Sequence, residues 1–63
     1  MTKSEKRMWL TNIENAADAV ATDYGSEVVK SVFQRYGAHE TYDLSPCYYS
    51  EVFADLELIA NDN

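Results

Sequence analysis

The sequence predicts an all-α fold in which three helices make one compact arrangement. Apolar residues recur three and four positions apart in three successive segments, which is the period of a helix with one buried face. The two glycines of the chain, Gly25 and Gly37, fall where the first and second segments end. A Ser-Pro pair at 45–46 opens the third segment. With 63 residues the chain is long enough for a single small domain, 1–63.

We expect the first helix near residues 4–24. Its start is ambiguous because two capping boxes compete: Thr2 with Glu5, and Thr11 with Glu14. The first box gives a continuous helix, which we favour, and the second leaves a loose arm before Thr11. The apolar residues of this segment share one face: Trp9, Ile13, Ala16, Ala17, Val20 and Tyr24.

The second helix is expected near residues 26–36. Ser26 follows Gly25 directly and is a candidate N-cap. Gly37 ends this segment as Gly25 ends the first, so the two Tyr-Gly pairs predict similar helix ends. The apolar face consists of Val29, Val32, Phe33 and Tyr36.

Residues 38–44 form a connector, and the third helix is expected near residues 46–60. Ser45 is the predicted N-cap, since proline is tolerated at the first helical position. Leu44 precedes this cap and is placed to pack on Tyr49 as a hydrophobic staple. The core side of the helix is predicted to contain Tyr49, Val52, Phe53, Leu56, Ile59 and Ala60.

The net charge of the chain comes entirely from residues 36–63. Residues 1–35 carry five bases and five acids, whereas residues 36–63 carry six acids, no lysine, no arginine and four of the five tyrosines. A segment that is both acidic and aromatic favours a protein partner with a basic surface. Direct nucleic-acid binding is disfavoured, because phosphate contacts need lysine and arginine.

Composition also limits the chemistry and the location. One cysteine and one histidine cannot make an intrachain disulfide or a Cys–His zinc cluster, and a lone thiol fits a reducing compartment. The basic N-terminus lacks the apolar run of a signal peptide, and no segment approaches the roughly 18 apolar residues of a membrane span. We therefore expect a cytoplasmic protein with no membrane contact, metal or cofactor.

The candidate binding site is the outer face of the third helix. Leu58 lies opposite the predicted core direction among carboxylates, which is typical of an interface with a charged rim. Tyr42, in the connector, is a further candidate contact anchor. A solvated acidic face with a chance leucine is the alternative. The residues predicted to align on this face are Tyr48, Glu51, Asp55, Leu58 and Asp62.

Carboxylates four residues apart on a helix lie about 5–6 Å from each other, which is near the spacing of successive phosphates along a nucleic-acid strand. The chain has two such pairs on predicted helices: Glu14 with Asp18, and Glu51 with Asp55. Their presence suggests a protein that imitates a nucleic-acid backbone and occupies the basic groove of a DNA- or RNA-binding enzyme. Such binding would weaken with salt.

A catalytic interpretation rests on Cys47 and His39. Cys47 falls near the start of the third helix, where the helix dipole favours the thiolate, and a Cys–His nucleophilic pair is conceivable. A chain this short offers little room for a substrate pocket. We therefore expect a partly buried structural cysteine, an exposed loop histidine and no enzymatic activity.

The stretch at about residues 16–62 resembles short proteins carried by conjugative and other mobile elements of Gram-positive gut bacteria. The matching features are the two Tyr-Gly pairs, DLSPCYY and the SEVFADL that follows, whereas the basic N-terminus is unmatched. The resemblance implies inhibitors of host defence, of antirestriction or anti-CRISPR type, or helpers of element transfer. It implies no catalytic residues.

Two functions follow from the sequence. The first is a non-catalytic inhibitor that covers a basic, nucleic-acid-binding surface of a host defence enzyme. The second is a homodimeric structural or regulatory module, in which Leu58, Tyr48 and Trp9 seal the interface and offset a small core.

Overall fold

The computed structural model describes residues 1–61, and over these residues it contains three α-helices and no strand. Helix α1 spans Lys3–Tyr24, α2 spans Ser26–Gln34 and α3 spans Tyr49–Ala60. Two short 3₁₀ turns, Thr41–Asp43 and Pro46–Tyr48, lie between α2 and α3. The predicted all-α, three-helix arrangement is confirmed.

Helix α1 is continuous because the first of the two possible capping boxes forms. The Glu5 amide donates to the Thr2 hydroxyl oxygen at 3.1 Å, and the Thr2 amide donates to the Glu5 carboxylate at 3.3 Å. A helix of 22 residues is about 33 Å long, and the longest dimension of the molecule is 34 Å. Helix α1 therefore runs the length of the molecule, and α2 and α3 both pack against it.

Gly25 is the single residue between α1 and α2. Its amide donates to the Ala21 carbonyl at 2.9 Å, and its backbone has φ 95° and ψ 156°. Gly25 thus closes α1 and is also the N-cap of α2. The prediction that Ser26 would be this N-cap is wrong, because Ser26 is already the first residue of the helix.

Helix α2 ends differently from α1. The Ala38 amide donates to the Phe33 carbonyl, and the Gly37 amide donates to the Gln34 carbonyl, both at 3.1 Å. Together with φ 74° at Gly37, these bonds form a Schellman motif, in which Ala38 and Phe33 are both buried. The helix is two residues shorter than expected, and the predicted similarity of the two Tyr-Gly ends is wrong.

Helix α3 begins later than expected. Residues 46–48 form a 3₁₀ turn, with Ser45 as its N-cap but without a side-chain capping bond, and the α-helix starts at Tyr49. Leu44 and Tyr49 are both buried, as the predicted staple requires.

The core is formed by the helix faces that the spacing of apolar residues predicts, with two exceptions. Tyr24 is 47% exposed, so the buried part of α1 stops at Val20. Ala38, which the periodicity assigned to the connector, is buried. Trp9 is half-buried and packs edge-on against Phe53, with ring centroids 6.0 Å apart. The buried residues are Ile13, Ala16, Ala17, Val20, Val32, Phe33, Ala38, Leu44, Tyr49, Val52 and Leu56.

Candidate functional site

The outer face of α3 exposes the leucine that the sequence singled out. Leu58 has 71% of its surface exposed, whereas Leu56, two residues earlier, is fully buried. Glu51 is exposed, and over residues 1–61 no lysine or arginine side chain pairs with it. Tyr48, which was predicted on this helical face, lies in the 3₁₀ turn before α3. We refer to Tyr48 together with Glu51, Asp55 and Leu58 of α3 as the α3 strip. Asp62, the fifth residue predicted for this face, lies outside the described residues.

Asp55 contacts the two residues that follow α2 in the chain, Arg35 and Tyr36. Its carboxylate accepts a hydrogen bond from the Tyr36 hydroxyl, and its Oδ2 lies 3.7 Å from Nη2 of Arg35. Only 27% of its side chain is exposed. One carboxylate of the expected docking face is thus engaged within the molecule, which leaves Glu51 as the freely exposed acid of the strip.

The hydrogen bond to Asp55 raises the pKa of Tyr36 above its ordinary value, and partial burial and the negative charge of Asp55 act in the same direction. A neutral phenol donates to a carboxylate, whereas a phenolate would repel it. Tyr36 and Asp55 are 19 positions apart in the chain. Helical periodicity predicts which face of a segment a residue lies on, but it does not predict contacts between two segments such as this one.

The two tyrosines predicted as contact anchors differ in exposure. Tyr42 is 79% exposed. Tyr48 is 38% exposed, because its ring packs on that of Tyr36 with centroids 5.3 Å apart and an interplanar angle of 46°. One face of Tyr48 is thus used in folding, and only Tyr42 presents most of its ring to solvent.

The connector is organised by Asp43, which the sequence reading did not single out. Its carboxylate accepts the backbone amide of Glu40 at 2.9 Å and that of His39 at 3.0 Å, and it contacts Nδ1 of His39 at 3.1 Å. The Glu40 amide and the contacts with His39 lower the pKa of Asp43. An aspartate three or four residues after the amides it accepts is a detectable local signal for such a turn.

Cys47 is exposed, so the expectation of a partly buried structural cysteine is wrong. His39 is exposed as expected, and its ring contacts Asp43. Among the described residues, no three His, Cys, Asp or Glu side chains come close enough together to bind a metal ion. None of the three described helices combines the length and the hydropathy that crossing a bilayer requires.

The two carboxylate pairs of the sequence have different surroundings. Glu14 and Asp18 are both exposed on α1 and line a groove between α1, α2 and the connector. In the other pair Glu51 is exposed, but Asp55 is held by Tyr36 and Arg35. The molecule is therefore a small all-α protein with an acidic, leucine-containing strip on its third helix.

Comparison of the chain with protein-family models, curated proteins and solved structures gave no match. The function of the protein is therefore inferred from its residues and their arrangement.

Proposed function

We propose that this protein is a non-catalytic binding module whose α3 strip docks on a basic surface of another protein. The observation that carries the proposal is Leu58, which is 71% exposed on the same helical face as Glu51 and Asp55. A solvent-facing leucine with acidic neighbours fits the pattern of an apolar contact surrounded by a charged rim. Tyr48 and Tyr42 lie before α3 in the chain and supply aromatic contact area.

The sign of the charge supports a basic partner. No lysine or arginine follows Arg35, so the strip belongs to a part of the chain that contributes only negative charge. Arg35 itself is close to Asp55, at 3.7 Å, and most of its side chain is exposed. Asp55 is held by Tyr36 and Arg35, and only 27% of its side chain is exposed. Glu51 is therefore the acid of the strip that a partner's arginine can reach.

The more specific form of the proposal depends on the resemblance to mobile-element proteins. In that form the partner is a host defence enzyme, and the protein covers the basic surface with which that enzyme binds nucleic acid. The protein inhibits the enzyme by covering this surface, without catalysis. It is cytoplasmic, because the enzyme that it inhibits acts on intracellular nucleic acid.

The test is affinity capture from a native host lysate at low and at high salt. We expect capture at low salt that is lost at high salt, since exposed charges separated by more than about 10 Å are screened at 0.1 M. The test variant is Glu51→Lys with Leu58→Arg, which reverses one charge and removes the apolar contact. It leaves Asp55 and its contacts with Arg35 and Tyr36 intact.

The matched control is Asp23→Lys with Met8→Arg. Asp23 is exposed and Met8 is 64% exposed, so this variant makes the same change in net charge on α1. Loss of capture in the α3 variant alone supports the proposal. Equal loss in both variants, or survival of capture in the α3 variant, contradicts it.

The alternative function, a homodimeric module, is favoured by the same exposed Leu58. Trp9 contributes less to it than expected, because its ring already packs on Phe53 within the molecule. Sedimentation velocity over a concentration series separates the two functions. A monomer at high concentration excludes the dimer, whereas a dimer that Leu58→Arg dissociates replaces the binding proposal.

A further inference from the structure

A groove of about 230 Å³ lies between α1, α2 and the connector, away from the α3 strip. Its apolar lining residues, which we call its floor, are Ala17, Ala21, Val29 and Phe33. The two alanines belong to α1 and the two larger residues to α2, so the short side chains of α1 leave the space open.

The size of the groove limits what it can hold. Pockets for small-molecule ligands are usually about 300–1,000 Å³, and this groove is smaller and open to solvent. It suits a single long side chain from another chain better than a cofactor.

The rim of the groove is negatively charged. Three carboxylates line it, those of Glu14, Asp18 and Glu40, against one lysine, Lys30. Lys30 has a nearby carboxylate outside the groove, since its Nζ lies 3.9 Å from Glu27. The groove therefore combines an apolar floor with more carboxylates than lysines at its edge.

We infer that this groove is an anchor site for an arginine side chain on an exposed segment of a partner protein. The methylene groups of arginine would lie on the apolar floor while its guanidinium reaches the carboxylates at the rim. Glu14 and Asp18 are one helical turn apart on α1, and Glu40 is on the connector. The planar guanidinium of arginine has five N–H donors, so it can bind carboxylates on different elements at the same time. The compact ammonium of lysine is less suited to this arrangement.

This site is separate from the α3 strip, so either can fail without the other. The test is a titration of the ¹⁵N-labelled protein with the peptide acetyl-Gly-Arg-Gly-amide, followed by amide chemical shifts. We expect saturable shifts at Ala21, Val29 and Glu40. The same peptide with citrulline, which is uncharged and nearly the same shape, and the peptide with lysine should both bind more weakly.

The test variant is Glu14→Gln with Asp18→Asn, and its matched control is Asp23→Asn with Glu51→Gln. Both remove two negative charges from exposed positions, but only the first pair lines the groove. We expect the test variant to weaken binding about 2- to 30-fold, as for two exposed charge pairs, and the control to weaken it less. A second variant, Ala21→Leu, fills the groove and should abolish the shifts.

Shifts that map to α3, equal weakening by both charge variants, or citrulline or lysine binding as tight as arginine would overturn the inference. So would the absence of any saturable shift. The amide spectrum of each variant reports directly whether it is folded, so a folding defect cannot be mistaken for lost binding.

Discussion

Gly25 has a backbone conformation that is almost exclusive to glycine. At φ 95° and ψ 156° it joins α1 to α2 within one residue, and a side chain there would strain the backbone by about 1–3 kcal/mol. No atom lies within 4 Å of the position that a Cβ would take, so steric contact adds nothing to this cost.

We therefore predict that Gly25→Ala lowers the free energy of unfolding by about 1–3 kcal/mol, as measured by urea denaturation. Ser26→Ala is the control at the adjacent exposed position, and it should change stability by about 0.5 kcal/mol or less. Equal effects of the two changes would contradict the backbone explanation.

The contact between Tyr36 and Asp55 predicts a pH dependence. Because the pKa of Tyr36 is raised on folding, its contribution to stability is present below the ordinary tyrosine pKa of 10.0 and is lost as pH rises through the folded value. The main cause is the hydrogen bond to Asp55. Asp55→Asn should lower the Tyr36 pKa more than Glu51→Gln does, since Glu51 acts only through its charge.

Titration of the ¹³Cζ resonance of Tyr36 in the folded protein measures this difference. A Tyr36 pKa that is the same in the wild type and in Asp55→Asn would show that the hydrogen bond does not form in solution.

At the scale of the element, α3 has two leucines that are two residues apart and belong to opposite faces. Leu56 is fully buried, whereas Leu58 is 71% exposed. Leu56→Ala should lower the free energy of unfolding by about 2–5 kcal/mol. This loss approaches the whole stability that the core of so small a domain supplies, which is roughly 3–5 kcal/mol. Leu58→Ala should change stability by about 0.5 kcal/mol or less.

Urea denaturation followed by circular dichroism measures both changes. If Leu58→Ala destabilised the protein as much as Leu56→Ala, the outer face of α3 would be part of a core or of an obligate dimer.

The buried faces of the three helices could be predicted from the sequence, because buried residues in a helix recur three or four positions apart. Ile13 and Val20 on α1 and Val52 and Leu56 on α3 are examples. The ends of the helices were less predictable. Gly37 signals an end, but the Schellman bonds that bring Ala38 into the core depend on the backbone path after α2.

The candidate site was predictable only in part, for a related reason. Exposure of Leu58 follows from its position on one helix. The state of Asp55 depends on where α2 places Arg35 and Tyr36, and the turn around Asp43 has no periodicity. Contacts between elements depend on how the elements pack together, and the sequence pattern within one element does not predict this.

On the scale of the whole molecule, the charges repel more than they attract. The net charge is −6, and over residues 1–61 only two lysine or arginine side chains come within 4 Å of a carboxylate, Lys30 at 3.9 Å and Arg35 at 3.7 Å. Both bases are more than half exposed, so screening these two pairs removes little stability.

Added salt should therefore stabilise the fold modestly, because it screens the net repulsion. The measurement is the free energy of unfolding in urea at about 0.01 M and about 0.15 M sodium chloride. A decrease in stability with salt would mean that attractive ion pairs outweigh the repulsion.

Contact between the outer face of α3 and a basic partner is the proposal on which the function depends. Its most direct test replaces Leu58 with the photocrosslinking residue benzoylphenylalanine, with the same replacement at Met8 as the control, in a native host lysate. We predict an adduct of a second protein from position 58, absent from position 8 and lost at high salt. Equal adducts from both positions, or an adduct with the mass of two copies of this chain, would contradict the claim.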